Sequence, residues 1–362
     1  MGVDRITYLE PNKPTTAVLF CGHESPFGRA FLDPILNSRF EVLAVVLASQ
    51  SRWRIFRDNL IGPIQESRKP LSKIRKGISH PSKAVKYITH KFFQHPKRCK
   101  FVKSKIQVLV EDDIHNEIFL NKLLNMQPDI VFSAAYPQIF KEQLLNIPKI
   151  GAVNFHPSLL PKYRGAHPHF WVLYNGDNVT GITAHYMTTE IDAGDIIAQV
   201  KIPISENMKY KELYNVIINN VPQIVSIVED KFFAGDYVGV PQENEMAAYF
   251  RNDREIHHRI FWTYQSAQQI KNIVRASNDR ALFFWHGVKL FVTNVTVSSE
   301  NQYIPNDTKI PNGTIVYFDN NGIVIKVRDA FINILEICIN GKMISGRDLL
   351  SRIKPQIGEM IK

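Results

Sequence analysis

Short apolar runs alternate with amphipathic stretches through the first part of the chain. Four of these runs have the length and the flanking Gly or polar residues of buried strands: 17–22, 40–49, 106–112 and 129–136. Between the first two runs, Phe27, Phe31 and Ile35 fall on one face of a predicted helix. A strand, a helix and a strand in this order predict an α/β fold built on a doubly wound, Rossmann-like parallel sheet.

The same alternation continues to about residue 235. A fifth strand is predicted to begin at residue 150, and further strands are expected over 181–188 and 196–204. One continuous helix is expected from about 209 to 233. These elements complete a first domain over residues 1–235.

The pattern changes after a polar, Pro-containing stretch at 236–250, which is predicted to be a linker. A helix is expected over 266–277, followed by short strands joined by Asn-Asn-Gly and Asn-Gly turns, which are typical of β-hairpins. Residues 251–362 are therefore expected to form a C-terminal domain with a helix and an OB-like β-barrel.

Composition narrows the class of protein. The 362 residues are 44% hydrophobic and 22% charged, which is an ordinary globular profile and excludes collagen-like, low-complexity and wholly disordered chains. The chain has neither a membrane-spanning apolar run nor the apolar core of a secretion signal, so a cytoplasmic protein is expected. Cys21, Cys99 and Cys338 are too few and too scattered for a disulfide framework or a zinc site, so no metal is expected.

The positive charge is concentrated in one segment. Residues 51–105 contain sixteen Lys and Arg against Asp58 and Glu66, a local charge of +14, whereas the rest of the chain carries −4. We interpret this segment as a basic insertion in the first domain. Such a segment binds phosphates, nucleic acid or a membrane surface, or it is a solvated insertion that only keeps the protein soluble.

Candidate chemistry lies in residues 151–199. Glycine-rich nucleotide-binding motifs are absent from the sequence, so a dinucleotide site or a P-loop is not supported. Asn154 and His156 are two residues apart at the end of a predicted strand, so their side chains point to one face, and Asp192 follows in a loop. An Asn–His–Asp set suits oxyanion stabilisation and proton transfer, with an attacking group that comes from the substrate. The alternative is that His156 is an ordinary loop residue and Asp192 a turn former.

Two stretches carry a resemblance to a known family, NFHPSLLPKYRG at 154–165 and TTEIDAGDIIAQ at 188–199. They resemble the signature and the aspartate loop of folate-dependent formyltransferases, which use 10-formyltetrahydrofolate and no metal. The resemblance covers about residues 15–48 and 105–235, and continues more weakly to the C-terminus.

The resemblance implies roles for particular residues. It makes Asn154, His156 and Asp192 the catalytic residues, with His156 held cationic by Asp192. Further residues are implied in binding the folate: Tyr136, Gln138, Ile139, Glu190 and Ile191. For the acceptor the candidates are Arg164, Gly165 and His185, where Arg164, as a charged residue beside the site, orders the loop or meets a phosphate. For Tyr136 and Ile139 an ordinary core position is the alternative, for Arg164 a surface position, and for His185 a core position.

The acceptor stays open at this point. Residues 171–187 resemble the amino-sugar branch of the family, and Pro157 and His167 depart from the pattern of methionyl-tRNA formyltransferases. A small amine on a nucleotide-linked 4-amino sugar is therefore expected. The basic insertion favours methionyl-tRNA instead, since Lys and Arg bind phosphates. Association of copies of the chain into a homo-oligomer is left open.

Three other classes of function are alternatives to formyl transfer. A hydrolase that removes the formyl group from the folate usually carries an additional N-terminal domain, for which residues 1–16 leave no room. A non-catalytic relative is disfavoured because all three catalytic residues are retained. A nucleic-acid-binding module built on 51–105 is a further alternative, and its binding should depend strongly on salt.

Overall fold

The computed structural model describes residues 15–22, 24–49, 106–298 and 309–361. The described residues form two compact units. The first contains residues up to 166, then 180–202 and 215–252, and the second contains 167–179, 203–214 and 253 onwards. The basic insertion at 51–105, including Cys99, lies outside the described residues. The segment 236–250, predicted to be a linker, belongs to the first unit.

The first unit is built on a seven-stranded sheet with the order β3-β2-β1-β4-β5-β7-β8. In chain order these strands are β1 (Thr16–Cys21), β2 (Glu41–Ala48), β3 (Gln107–Glu111), β4 (Ile130–Ala134), β5 (Gly151–His156), β7 (Val179–Tyr186) and β8 (Ile196–Pro203). The pairings from β3 to β5 are parallel, as predicted, but β7 runs antiparallel to β5. The sheet is therefore mixed, which is common for an edge of a doubly wound sheet.

Helices cover both faces of the parallel strands. Four of them are α1 (Pro26–Ala30), α2 (Leu32–Leu36), α3 (Glu117–Met126) and α4 (Glu142–Leu145). On one face, Phe119 and Leu123 of α3 join a buried cluster with Phe20. On the other face, Phe31 stacks on Phe155 with ring centroids 4.4 Å apart. The predicted apolar face of residues 27–35 is thus confirmed as core.

The single helix predicted over 209–233 is two helices, α6 (Tyr210–Asn219) and α7 (Val221–Phe233). Pro222 explains the break: its ring lacks an N–H and fits only the first turn of a helix. The prediction of one continuous helix was wrong, but the predicted first and last residues of the helical stretch were nearly correct.

One helix was not predicted at all, α5 (Pro168–Asn175). Its sequence does contain the signal of a short helix. Pro168 occupies the first turn, and Gly176 caps the C-terminus with φ +83°, a value that favours glycine.

The second unit holds a six-stranded antiparallel sheet with the order β10-β11-β14-β13-β12, and β15 pairs with β14. Its strands are β10 (Leu282–Trp285), β11 (Val288–Ser298), β12 (Ile315–Asp319), β13 (Gly322–Lys326), β14 (Phe331–Ile339) and β15 (Lys342–Ser345). Besides α5, it contains α8 (Glu255–His258), α9 (Ala267–Ala276) and α10 (Gly346–Ile353). The antiparallel strand domain is as expected, while its closure into an OB-like barrel stays a prediction.

Turn chemistry explains the hairpins of this unit. Asn340 and Gly341 join β14 to β15 with φ +51° and +80°, the geometry that Asn-Gly favours in a two-residue hairpin. Across the described parts of both units, no helix combines the length and the apolar character needed to span a membrane.

The fold makes a prediction about Phe155, which lies between Asn154 and His156 and packs against Phe31 and Phe132. Phe155→Ala should lower the free energy of unfolding by about 3–5 kcal/mol, because it leaves a cavity between two aromatic rings. Urea unfolding followed by circular dichroism measures this. Ile118→Ala, at a position 84% exposed, should change stability by less than about 0.5 kcal/mol; equal effects would contradict the assigned core.

Candidate active site

The pairing of β5 with β7 places three polar side chains on one face of the sheet. Asn154 lies directly opposite His185, and His156 lies opposite Thr183. Residues two apart on a strand share a face, and directly opposed residues on neighbouring strands share it too. Asn154, His156 and His185 are therefore brought together, as the sequence predicted for the first two.

Asp192 reaches this group from the loop between β7 and β8. Its Oδ2 lies 3.4 Å from His156 Nδ1, and its Oδ1 lies 3.5 Å from both His185 Nε2 and Asn154 Nδ2. The side chain of Asp192 is only 11% exposed. A carboxylate, two imidazoles and an amide thus converge at one nearly buried point.

Hydrogen bonds fix the orientation of the two histidine rings. His156 Nε2 lies 2.8 Å from the Tyr163 carbonyl oxygen, so it carries a proton and donates it. His185 Nδ1 likewise donates to the Tyr186 carbonyl oxygen, 2.8 Å away. The other nitrogen of His185 then accepts from Asn154 Nδ2 at 3.2 Å, which orients the Asn154 amide.

The protonation state of His156 depends on how deeply the ring is buried. Burial lowers the pKa of the His156 imidazole below its ordinary value, and this outweighs the opposite effect of the neighbouring Asp192 carboxylate. This direction favours the neutral ring at pH 7, and the cationic His156 implied by the resemblance stays a prediction. Because Nε2 holds the proton, Nδ1 is the basic nitrogen, and it faces Asp192.

Asp192 itself is ionised. Burial alone would raise the pKa of this carboxyl, but the Gly165 N–H donates to it, and positive charge on His156 or His185 lowers the pKa further, so the pKa lies well below its usual range. The Gly165 N–H donates to Oδ2 at 2.8 Å. A proton that binds to His156 Nδ1 is therefore stabilised by the negative charge of the Asp192 carboxylate.

Gly165 belongs to a tightly specified loop. Its φ is +96°, and a Cβ at this position would lie 2.2 Å from the Phe250 carbonyl oxygen. Arg164–Gly165 (β6) pairs in parallel with Tyr249–Phe250 (β9). Only glycine fits at this position, where its N–H meets the Asp192 carboxylate, and the expected part of Gly165 in acceptor binding stays a prediction.

Arg164 contacts neither His156 nor Asp192 with its side chain. The guanidinium donates to Gln242 Oε1 at 2.7 and 3.0 Å, and Gln242 Nε2 donates to the carbonyl oxygens of Asp192 and Gly194. Gln242 was not predicted to take part in the site, because it lies in the segment predicted to be a linker. No local pattern around Gln242 signals this contact.

The residues expected to bind the folate are divided by the structure. Tyr136 packs in the core against Phe20, with ring centroids 5.2 Å apart, so its core alternative fits. Ile139 and Ile191 are 65% and 42% exposed and offer apolar surface. Gln138 donates to the Asp112 carbonyl oxygen at 3.3 Å, and the exposed Glu190 bonds through its main chain to Thr188 Oγ1.

The site can therefore accept a proton at a neutral imidazole, stabilise the resulting cation with an ionised carboxylate, and donate an amide N–H. The described residues include no group of three or more His, Cys, Asp or Glu side chains placed to hold a metal ion. The chemistry available within these residues is proton transfer beside a polarised carbonyl.

Two family models match this chain. The model described as formyl transferase matches residues 71–228, and the model described as formyl transferase, C-terminal domain, matches residues 255–354. The first match contains every residue of the candidate site except Gln242.

Curated relatives are about 30% identical to this chain. A bifunctional polymyxin resistance protein of Wigglesworthia glossinidia brevipalpis is 32% identical over 263 residues, which are 70% of this chain and 39% of that protein. A methionyl-tRNA formyltransferase of Acetivibrio thermocellus is 31% identical over 228 residues, which are 62% of this chain and 71% of that protein. The chain thus spans about two fifths of the first relative and most of the second.

The fold also matches a solved structure. An N-formyltransferase of Helicobacter canadensis, in complex with folinic acid and dTDP-3-aminofucose, has a TM-score of 0.56 and 18% identity. The match covers 89% of this chain and 99% of that one. At this identity the similarity shows the fold.

The electrostatics of the site predict how His156 titrates. Its ¹³Cε1 resonance, assigned by its loss in His156→Asn, should titrate with a midpoint below 6.5, the ordinary value for histidine. Asp192→Asn should move the midpoint lower still, because the carboxylate favours the protonated ring.

The matched control is Asp195→Asn, which removes an exposed carboxylate from the same loop and should leave the midpoint unchanged. A wild-type midpoint above 6.5 would contradict the neutral ring.

Proposed function

The chain belongs to the formyltransferase family, a family of folate-dependent formyl-transfer enzymes, and on that premise we propose that its acceptor is the amino group of a nucleotide-linked sugar. The co-substrate of the family is 10-formyltetrahydrofolate. The observation that carries the assignment of chemistry is the neutral His156 whose basic Nδ1 lies 3.4 Å from the ionised Asp192. Attack by an amine releases a proton, and this pair is built to receive it.

The folate fits the residues available. Ile139 and Ile191 present the exposed apolar surface that a planar heteroaromatic ring requires, and main-chain groups beside them supply hydrogen-bonding partners. These two residues and the main chain at Glu190 would hold it, whereas Tyr136 would support the pocket from the core. When bound, the folate supplies a formyl carbon that an amine nitrogen can attack.

The protein's own groups then act in sequence. One N–H of the Asn154 amide, which in the free protein lies 3.5 Å from Asp192 Oδ1, turns towards the formyl oxygen. It stabilises the negative charge that develops on this oxygen during attack. His156 Nδ1 takes the proton released by the attacking amine, and Asp192 stabilises the imidazolium. The imidazolium returns that proton to the departing nitrogen, so His156 ends neutral as it began.

The choice of a sugar acceptor rests on sequence. Residues 171–187 resemble the amino-sugar branch, and Pro157 and His167 depart from the methionyl-tRNA pattern. The solved N-formyltransferase of the same fold was crystallised with dTDP-3-aminofucose, a nucleotide-linked amino sugar, and this chain covers nearly all of it. The sequence favours the 4-amino isomers among such sugars.

Methionyl-tRNA is the second candidate. It is favoured by relatives of about 30% identity that carry this name, and by the charge of +14 on residues 51–105. A charge of that size suits the many phosphates of a tRNA better than the two phosphates of a sugar nucleotide.

Removal of the proton-transfer pair should stop transfer. His156→Ala and Asp192→Asn should each reduce the rate of formyl transfer by at least about 100-fold, because each removes a group that handles the transferred proton. Circular dichroism should show an unchanged fold. Asp195→Asn is the control and should retain activity. A fully active Asp192→Asn enzyme would contradict the mechanism.

The acceptor is identified by direct assay. The purified protein is incubated with 10-formyltetrahydrofolate and, separately, with UDP- and dTDP-linked 3-amino and 4-amino sugars and with methionyl-tRNA. Mass spectrometry should detect a formyl adduct on a sugar nucleotide and none in the parallel reaction of His156→Ala. Formylation of methionyl-tRNA alone would overturn the proposed acceptor.

A further inference from the structure

The strongest unused feature of the first unit is the segment 240–250, which we name the brace. It was predicted to be a linker, yet it bonds to both stretches that place Asp192. Val240 and Ile196 exchange two backbone hydrogen bonds of 2.8 Å at the end of the Asp192 loop. The other end of the brace, β9, pairs with Arg164–Gly165.

Gln242 forms the central contact of the brace. One side-chain nitrogen, Nε2, donates to the Asp192 carbonyl oxygen at 2.8 Å and to the Gly194 carbonyl oxygen at 2.7 Å. Both protons of that amide are thus used to hold the turn that carries the catalytic carboxylate.

The turn needs such a restraint. Asp192 has φ +54°, in the left-handed region, which Asp adopts more readily than most residues with a side chain but still at some cost relative to glycine. The conformation persists only where surrounding contacts impose it. Gln242 and the Gly165 N–H act on the two ends of this residue, one on its carbonyl oxygen and the other on its carboxylate.

Arg164 in turn orients Gln242. Its guanidinium gives two hydrogen bonds to Gln242 Oε1 and a third, of 3.2 Å, to Asn244 Oδ1. This fixes which end of the Gln242 amide is oxygen, so the nitrogen must face the Asp192 loop. None of the described carboxylates lies within ion-pairing distance of Arg164, so its main described partners are these amides.

We propose that Gln242, oriented by Arg164, is a positioning residue that holds Asp192 against His156 for the transfer reaction. The kinetic part of this inference rests on the proposed function. The segment between the two family matches thereby becomes part of the catalytic unit.

The decisive variant is Gln242→Glu. It keeps an oxygen for Arg164 but turns the donor that faces Asp192 and Gly194 into a second oxygen, which repels their carbonyl groups. We expect kcat to fall by about 100-fold, since a displacement of about 1 Å at a reacting group has that effect. The KM for the acceptor should stay unchanged, because Gln242 does not contact the acceptor in this mechanism.

A second readout separates positioning from general damage. In Gln242→Met, which removes both hydrogen bonds of Nε2 without adding a charge, the NMR titration midpoint of His156 should move to lower pH as Asp192 recedes, the direction expected for Asp192→Asn. This measurement needs no acceptor, so it remains informative if the assigned acceptor is wrong and the wild-type protein transfers nothing to a sugar.

The control is Asn244→Ala, which removes one contact of Arg164 and leaves Gln242 in place. It should change kcat by no more than about twofold. Arg164→Met removes the group that orients Gln242, and it should also lower kcat. Wild-type kcat in Gln242→Glu would overturn the proposal, as would a loss of activity in Gln242→Met with an unmoved His156 midpoint.

Discussion

The site depends on one nearly buried negative charge. An ionised carboxylate removed from water is stable only if hydrogen bonds and neighbouring dipoles replace its hydration. Asp192 receives the Gly165 N–H at 2.8 Å and lies against His156 and His185. Each of these partners comes from a different segment, so the positions of β5, β6, β7 and the brace all serve to keep a single charge in place.

The neutral state of His156 follows from the same balance. Burial disfavours a charged ring more than the carboxylate favours it, so the resting pair has one charge rather than two. The pair of His156 and Asp192 can therefore take up one proton, and the negative carboxylate stabilises the protonated ring. A ring that was already cationic could stabilise negative charge, but it could not accept a proton from an amine.

Much of this was readable from the sequence. The period of two along a strand predicts that Asn154 and His156 share a face, and the short apolar runs predict the parallel strands. The sequence could not reveal the depth of His156, since burial depends on packing from segments far along the chain, and depth decides its pKa. Tyr136 shows the same limit, because a residue at a strand end fits a pocket and a core equally well until its neighbours Phe20 and Phe140 are known. The role of Gln242 could not be predicted, because its hydrogen bonds join residues about fifty to eighty positions apart in the chain. The break at Pro222 and the helix that begins at Pro168 do have local signals in the sequence, and these were missed.

The two compact units are interleaved along the chain, and this has a consequence for how the protein is made. Residues 167–179 and 203–214 leave the ribosome early but belong to the unit whose remainder begins at 253. Within that unit, Phe170 and Trp171 of α5 contact His258 and His257, whose synthesis comes much later. Until then these large apolar rings lack their contacts with the two histidines, so part of their surface stays exposed while more than eighty further residues are added. For the same reason the C-terminal sheet cannot be removed cleanly. A polypeptide that ends before residue 253 would still contain α5 without its partners from the rest of the second unit, and it would tend to aggregate or to bind chaperones.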